Sequence, residues 1–550
     1  NLGNIFNMGS ETNNHVRLDR NSMAMHTFIT GSTGSGKSNT VYEILRQLDS
    51  VNVNHLVIEP AKGEYKNIFG HHPDVTVLGT NPAYTALLRI NPFRFPKGVH
   101  VLEHIDRLIE IFNVCWPMYA AMPAVLKDAV LQAYEVCGWD LVESKNTVDE
   151  DLFPTFQDLL TELVDVIDNS AYHNEVKSNY KGSLETRVKS LTNGLNGQIF
   201  STDEIGDKTL FDTKVIIDLS RIGSLETKAL IMGILVMRLN EYRMTEHTGM
   251  NVPLKHVTVL EEAHNILKRT STEQNPEGSN LAGKSVEMLS NAIAEMRTYG
   301  EGFIIADQSP SAVDVSAIRN TNTKIIMRLP DESDRRFAGK SAALKDEQLD
   351  EIAKLPKGVA VVYQNDWLEP VLCKVRQFSG SEKPYAYDRY SQVASVNCDK
   401  WFKTELLKLL VKGLVVEQID IDIDEMKENV SVVNLSTKNK IGIHHILNEY
   451  GHTGRLSLWE VVNFEPLSSL IGELLQSENK VNRFVRESQN FDELSAKLYS
   501  LIDNQTEDIA KEVCLAVSQC LMKNYSIEGT ENIEVYSAWR ETVKKRGSLL

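Results

Sequence analysis

Cysteine is scarce: six in 550 residues, at 115, 137, 373, 398, 514 and 520, with no C-x-x-C pair among them. That spacing argues against zinc or redox chemistry and leaves free thiols, as expected of a reducing, cytoplasmic setting. Long apolar runs are missing too. None reaches the ~20 residues of a membrane-spanning helix, so no membrane association is expected. Positive charge is in deficit, with 58 Lys and Arg against 75 Asp and Glu and a net charge of −17. A basic nucleic-acid coat over the whole surface is thereby disfavoured, but a local basic channel is not. The opening stretch, Asn1-Leu2-Gly3-Asn4-Ile5-Phe6-Asn7-Met8, has neither the charged nor the apolar region of a signal peptide. It also lacks an initiator Met, so a missing N-terminal part is expected.

What is present is ordinary globular material, 42% hydrophobic and 24% charged, long enough for roughly two to four domains. The sharpest local signal is Gly31-Ser32-Thr33-Gly34-Ser35-Gly36-Lys37-Ser38, which has phosphate-loop spacing. His26–Thr30 before it reads as a buried strand. Asn39–Leu48 after it has apolar residues at helical spacing. Strand, Gly-rich loop and helix is the context this motif requires. Glycines let backbone N–H groups close on phosphate oxygens, and the helix N-terminus adds partial positive charge. Gly31, Thr33, Gly34, Ser35, Gly36, Lys37, Ser38 and Asn39 are therefore the candidate nucleotide-binding residues. Lys37 would reach the β/γ-phosphates, and Ser38 would bind Mg²⁺.

Further strands are expected at His55–Pro60, Val75–Thr80, Lys214–Ser220, His256–Leu260, Gly302–Gln308 and Thr323–Leu329. A closing hairpin is expected at Val359–Tyr363 and Pro370–Val375. Strands alternating with helices predict a parallel α/β sheet. Between about 99 and 195 the pattern is helical, at Val101–Phe112, Ala124–Cys137, Thr155–Val166 and Leu184–Leu195, and reads as an insertion. Helices are also expected at Ser224–Tyr242 and Lys284–Tyr299, with a polar loop at 270–280. The turn-like stretch Gln377–Pro384 marks a boundary. Beyond it, helices are expected at Lys400–Val411, His444–Tyr450, Leu456–Val462, Leu467–Ser477, Phe491–Leu501 and Thr506–Met522. The organisation that follows is a lead-in over 1–25, an ATPase domain over 26–380 and a mostly helical domain over 381–550.

Hydrolysis needs carboxylates beside the phosphate loop. Val257–Leu260 is a mostly apolar strand that ends in Glu261-Glu262-Ala263-His264. Alternation along a strand gives the two acids different aims. Glu261 would serve Mg²⁺ and Glu262 would polarise the attacking water. Gln308 ends another strand, where it could sense the γ-phosphate or orient water. Arg297, near the end of the preceding helix, could point into a neighbour's site; its alternative is a helix C-terminal cation. Arg328 and Arg335 are reserves. Lys62 and Glu64 follow a strand end and fit contact with nucleotide or a neighbouring subunit, or a structural turn with a local ion pair. Lys181, Arg187 and Lys189 fit DNA-backbone contacts or a solvated helix face.

Taken together, Gly31–Thr40, Ile58-Glu59-Pro60-Ala61-Lys62-Gly63-Glu64-Tyr65, Ile90-Asn91-Pro92-Phe93, Leu260–Asn265 and Glu295–Gly302 running into Ala306–Pro310 resemble the HerA group of the HerA/FtsK ATPases, over roughly residues 1–380. The resemblance implies a RecA-like fold, a homohexameric ring and ATP-driven movement of double-stranded DNA through a pore. It gives Lys37, Glu262, Gln308 and Arg297 the roles of nucleotide binding, water activation, sensing and trans finger. Two departures stand out. Only about 25 residues precede the phosphate-loop strand, so the group's usual N-terminal β-barrel is expected to be absent, lost or not included, and Met25 stands where many relatives have an arginine. Such rings work with a partner nuclease or with an NADase effector, in DNA end processing or antiphage defence. The alternative is an ATP-regulated ring scaffold that activates an effector with little translocation.

Overall fold

Strands β1 (Gly3–Asn7), β2 (Ser10–Val16), β3 (Thr27–Thr30), β4 (Asn54–Glu59), β5 (Val75–Gly79) and β6 (Ala86–Leu87) precede a small hairpin, β7 (Trp139–Asp140) and β8 (Lys145–Asn146). After it come β9 (Lys214–Asp218), β10 (His256–Glu261), β11 (Glu301–Asp307), β12 (Thr323–Ile326), β13 (Val359–Gln364) and β14 (Val371–Val375). Twelve of these form one sheet in the order β2-β1-β14-β13-β12-β3-β11-β10-β4-β9-β5-β6. From β12 through β3, β11, β10, β4, β9 and β5 to β6, neighbours run parallel. From β12 back to β2 they run antiparallel. The expected α/β core is therefore present, and β13 and β14 form the closing hairpin. Every residue of β3, β10 and β11 is buried. Parallel strands covered on both faces read as continuous apolar runs, which is why Val257–Leu260 and Phe303–Ala306 were legible.

The computed structural model describes residues 1–246, 249, 252–270, 281–387, 393–416, 419–433, 435–527 and 529–546. The loop expected over 270–280 lies, from 271 on, outside the described residues. The described chain divides into a unit of residues 1–132, 159–200 and 204–387 and a unit of 133–158, 201–203 and 388–550.

In the sheet unit, residues 3–16 are more than a lead-in. They form β1 and β2, with β1 pairing to β14 from Gly3 opposite Val375 to Ile5 opposite Cys373. The polar sequence SETNNHV suits β2 to an exposed sheet edge and hides it from a hydrophobicity reading. Helix Val101–Cys115 buries Ile105, Leu108 and Phe112 at the expected spacing. The helix expected at 184–195 is broken. Thr186–Thr192 ends at an extended Asn193, and Gly194–Ile199 starts anew.

The second unit is mostly helical. Its core includes Phe402, Leu406, Leu447, Ile471, Leu498, Val517 and Leu521, each worth roughly 1.5–3 kcal/mol when fully buried. Part of the expected insertion belongs here: Asp158 accepts from the Thr437 backbone N–H at 3.0 Å and from its hydroxyl at 2.6 Å. The helix expected at Leu456–Val462 is absent. Helix Thr437–Thr453 ends on left-handed Gly454 (φ +65°), and the segment after it is turn, with Val461 and Val462 exposed. Helices Ile423–Val430, Glu478–Glu487 and Thr530–Lys545 were not expected. Their polar residues outnumber their apolar ones. The five cysteines whose side chains are described are buried and unpaired. Among the described residues no helix is long and apolar enough to cross a membrane.

Candidate active site

The phosphate loop leaves β3 near the middle of the sheet and enters helix Lys37–Asp49. Gly36 precedes the helix at φ +114° with no side-chain cap, so the first-turn N–H groups have no capping oxygen. A side chain there would be strained at this φ, and its Cβ would meet Met327 Cε at 2.9 Å. The loop is pinned from the segment just after β12, where the Arg328 carbonyl accepts from the Ser32 N–H at 2.9 Å and its hydroxyl at 3.0 Å. Gly31, Thr33, Gly34, Gly36, Lys37, Ser38 and Asn39 line a cleft of about 200 Å³. Ser35 is buried beneath it. The Asn39 amide lies in the cleft wall but is held by the Arg376 carbonyl at 3.1 Å and the Phe378 N–H at 2.9 Å.

Three strand ends supply the rest. The Lys37 ammonium lies 3.1 Å from Glu261 and 3.7 Å from Glu262. Strict alternation would have sent these carboxylates to opposite faces. Glu262 is left-handed instead, at φ +47°, which turns its carboxylate back toward Lys37. For a residue with a Cβ that conformation costs roughly 1–2 kcal/mol. The two acids then fan apart. Tyr65 donates its hydroxyl to Glu261 at 2.5 Å, and Gln308 donates its amide N–H to Glu262 at 2.5 Å. Thr33 on the loop donates to the Gln308 carbonyl oxygen at 2.7 Å. Phosphate loop, glutamine and glutamate thus form one chain of contacts. That loop-to-strand link was not legible in the motif alone.

Two further groups surround it. Glu59, at the end of β4, is buried and accepts from the N–H of Glu64 at 2.8 Å and of Tyr65 at 3.1 Å. Burial, with Asp218 and Glu261 nearby, still raises its pKa to about 7. Its place in Glu59-Pro60-Ala61-Lys62 was visible, but its burial was not. His264 donates its backbone N–H and offers Nδ1 to Asp307, at 2.9 and 2.8 Å. That bond raises the imidazole's pKa, and Nδ1 also lies 3.6 Å from Glu262. Lys62 and Glu64 pair at 3.7 Å, and both line the cleft.

Other candidates lie elsewhere. Arg297 is exposed in the turn Met296–Tyr299 just before β11, whereas Gln308 follows the other end of that strand. Arg335 donates to the Pro330 carbonyl and lies 3.4 Å from Asp350. Lys181 pairs with Asp168 at 2.6 Å, and Arg187 lies 3.5 Å from Glu226. Of that basic trio only Lys189 is exposed.

Ser38 lines the cleft and its hydroxyl makes no hydrogen bond among the described residues. Together with the Glu261 carboxylate in the same cleft wall, it offers oxygen donors of the hard type that suits Mg²⁺.

Residues 1–239 match the family model described as "Helicase HerA, central domain". A relative from Sulfurisphaera tokodaii named "DNA double-strand break repair helicase HerA" is 23% identical over 374 residues, 66% of this chain and 67% of its own length. One of the same name from Pyrococcus furiosus is 23% identical over 457 residues, 75% of each chain. Among solved structures, VirB4 of Thermoanaerobacter pseudethanolicus aligns with TM-score 0.49 and 16% identity over 64% of this chain and 90% of its own. The plasmid coupling protein TrwB, in complex with ADP and Mg²⁺, gives TM-score 0.47 and 12% identity over 70% and 92%. With a phosphate loop facing paired glutamates and a glutamine on adjacent strands, this chain is an ATPase, and over residues 1–239 it is similar to the central domain of the HerA helicases.

Proposed function

We infer that this ATPase is a DNA motor, a HerA-like translocase or helicase acting on double-stranded DNA as a homohexameric ring. The observation that carries the reading is the linked set Thr33, Gln308, Glu262 and Lys37, which joins the loop that holds phosphate to a carboxylate able to activate water. The names of the curated relatives support DNA as the track. In this reading the loop amides and Lys37 neutralise the phosphates. Gln308 orients water, Glu262 accepts its proton, and Arg297 serves a neighbouring subunit. Ser38 and Glu261 would hold Mg²⁺, which would supply neutralisation of the phosphate charge. The helical unit then docks a partner, a nuclease or an NADase effector, in DNA end processing or antiphage defence.

The test is ATP turnover of the intact protein with and without duplex DNA, alongside strand displacement. Stimulation by DNA is expected. Glu262→Gln should bind ATP yet turn over about 10²–10⁴-fold more slowly. Turnover indifferent to DNA, no displacement, and a partner complex that Lys37→Ala takes apart would instead favour a ring scaffold.

A further inference from the structure

Three lysines line the nucleotide cleft: Lys37, Lys62 and Lys357. Two are already engaged with carboxylates, Lys37 with Glu261 and Glu262 and Lys62 with Glu64. Lys357 is exposed, and among the described residues its side chain makes neither an ion pair nor a hydrogen bond. It comes from the far end of the sequence, on the turn that leads into β13. Its backbone, however, is fixed. Gly358 (φ +76°) donates its N–H to the Ser35 carbonyl at 2.9 Å. Lys374 donates to the Lys357 carbonyl at 2.8 Å, and the Val375 N–H donates to the Gly358 carbonyl at 2.9 Å. A free ammonium on a rigid turn, in contact with the phosphate loop, is an arrangement suited to an anion. The carboxylates in the cleft outnumber its lysines, with Glu59, Glu64, Glu261 and Glu262 all in the wall. A nucleotide carrying several negative charges therefore needs every cation the cleft can offer.

The two rims of the loop differ. Thr33, Gln308 and Glu262 occupy one, where water must meet the γ-phosphate. Gly36 and Gly358 meet on the other. We propose that Lys357 is a second phosphate-binding cation, acting from the β13 turn on the α/β-phosphate side of a bound nucleoside di- or triphosphate. The proposal rests on the ATPase reading of the cleft. It assigns to Lys357 binding that is equal in ground and transition states, and so an effect on affinity rather than on turnover.

The experiment measures equilibrium binding of ADP and of a non-hydrolysable ATP analogue, with steady-state ATP turnover, on the intact protein and its Lys357→Gln, Lys357→Arg and Lys37→Ala variants. Lys357→Gln should weaken ADP and the analogue by a similar factor, about tenfold at low salt and less at high salt. KM should rise and kcat should hold. Lys357→Arg should keep most of the affinity. ADP and analogue affinities unchanged in Lys357→Gln, or a loss seen only in kcat, would overturn the assignment. Lys37→Ala separates the two readings. If it too leaves nucleotide binding intact, the cleft is not the ATP site. If it abolishes binding while Lys357→Gln does nothing, only the role of Lys357 falls. Unfolding temperature without nucleotide checks the fold, and a turn residue with an exposed side chain should leave it unmoved.

Discussion

Glu59 offers a prediction whose sign changes with pH. In the unfolded chain its carboxyl titrates near the ordinary 4.5, and in the folded chain near about 7. Between those values the folded state holds a proton that the unfolded state has lost. Glu59 therefore contributes its full stability below about 4.5 and has lost it once the pH has risen through about 7. The shift amounts to about 3 kcal/mol of penalty for the ionised, buried carboxylate at pH 8. Glu59→Gln removes that penalty at nearly constant volume. It also replaces one of two oxygens that accept from Glu64 and Tyr65, a loss of about 1 kcal/mol. The variant should therefore be more stable than the parent by about 2 kcal/mol at pH 8 and close to it at pH 5. The assay is urea unfolding of nucleotide-free protein across that range, followed by pulsed hydrogen exchange in the β4 peptide so that the sheet unit is read by itself. A stability difference that does not vary between pH 5 and 8 would refute the buried, proton-holding assignment of Glu59.

Tyr65→Phe removes only the hydroxyl that Glu261 accepts; unfolding should show a loss of about 1–2 kcal/mol, and ATP turnover should drop. Gly36→Ala puts a methyl against Met327 at φ +114°, and isothermal titration should find nucleotide binding lost while the helical unit keeps its circular dichroism. Arg297→Ala should slow hydrolysis with ATP still bound. Mixing it with Lys37→Ala subunits should restore part of the rate, and no recovery at any ratio counts against a trans role.

The fold was legible where burial is continuous. Strands β3, β4, β10 and β11 are apolar runs closed by polar ends, and nothing but a covered parallel sheet uses such runs so often. Legibility failed where chain partners, rather than local hydrophobicity, set the structure. The polar β2 is a strand because β1 pairs with it. Leu456–Val462 has helix-like apolar content, yet Gly454 stops the helix before it, and the Trp459 indole N–H donates to the Leu410 carbonyl at 3.0 Å instead of facing a helical neighbour. Residues 133–158 read as part of one insertion because sequence shows which residues are apolar, not which core takes them in.

The site divides along the same line. Motif spacing named Lys37, Ser38, Glu261, Glu262 and Gln308, because phosphate loops and paired strand-end acids carry their function in local pattern. It could not name Lys357, whose relevance comes only from a backbone contact between residues 35 and 358. Nor could it show that Lys37 is already bound to the glutamates that catalysis needs. In the proposed mechanism, a triphosphate entering this cleft would draw Lys37 away from Glu262, which it now faces at 3.7 Å. The same movement would then leave the Glu262 carboxylate without its cation and better able to accept a proton from water. Binding and activation would be one event. On that proposal the Thr33–Gln308–Glu262 link has a use: a loop that shifted toward phosphate without moving Gln308 would leave the water unaligned.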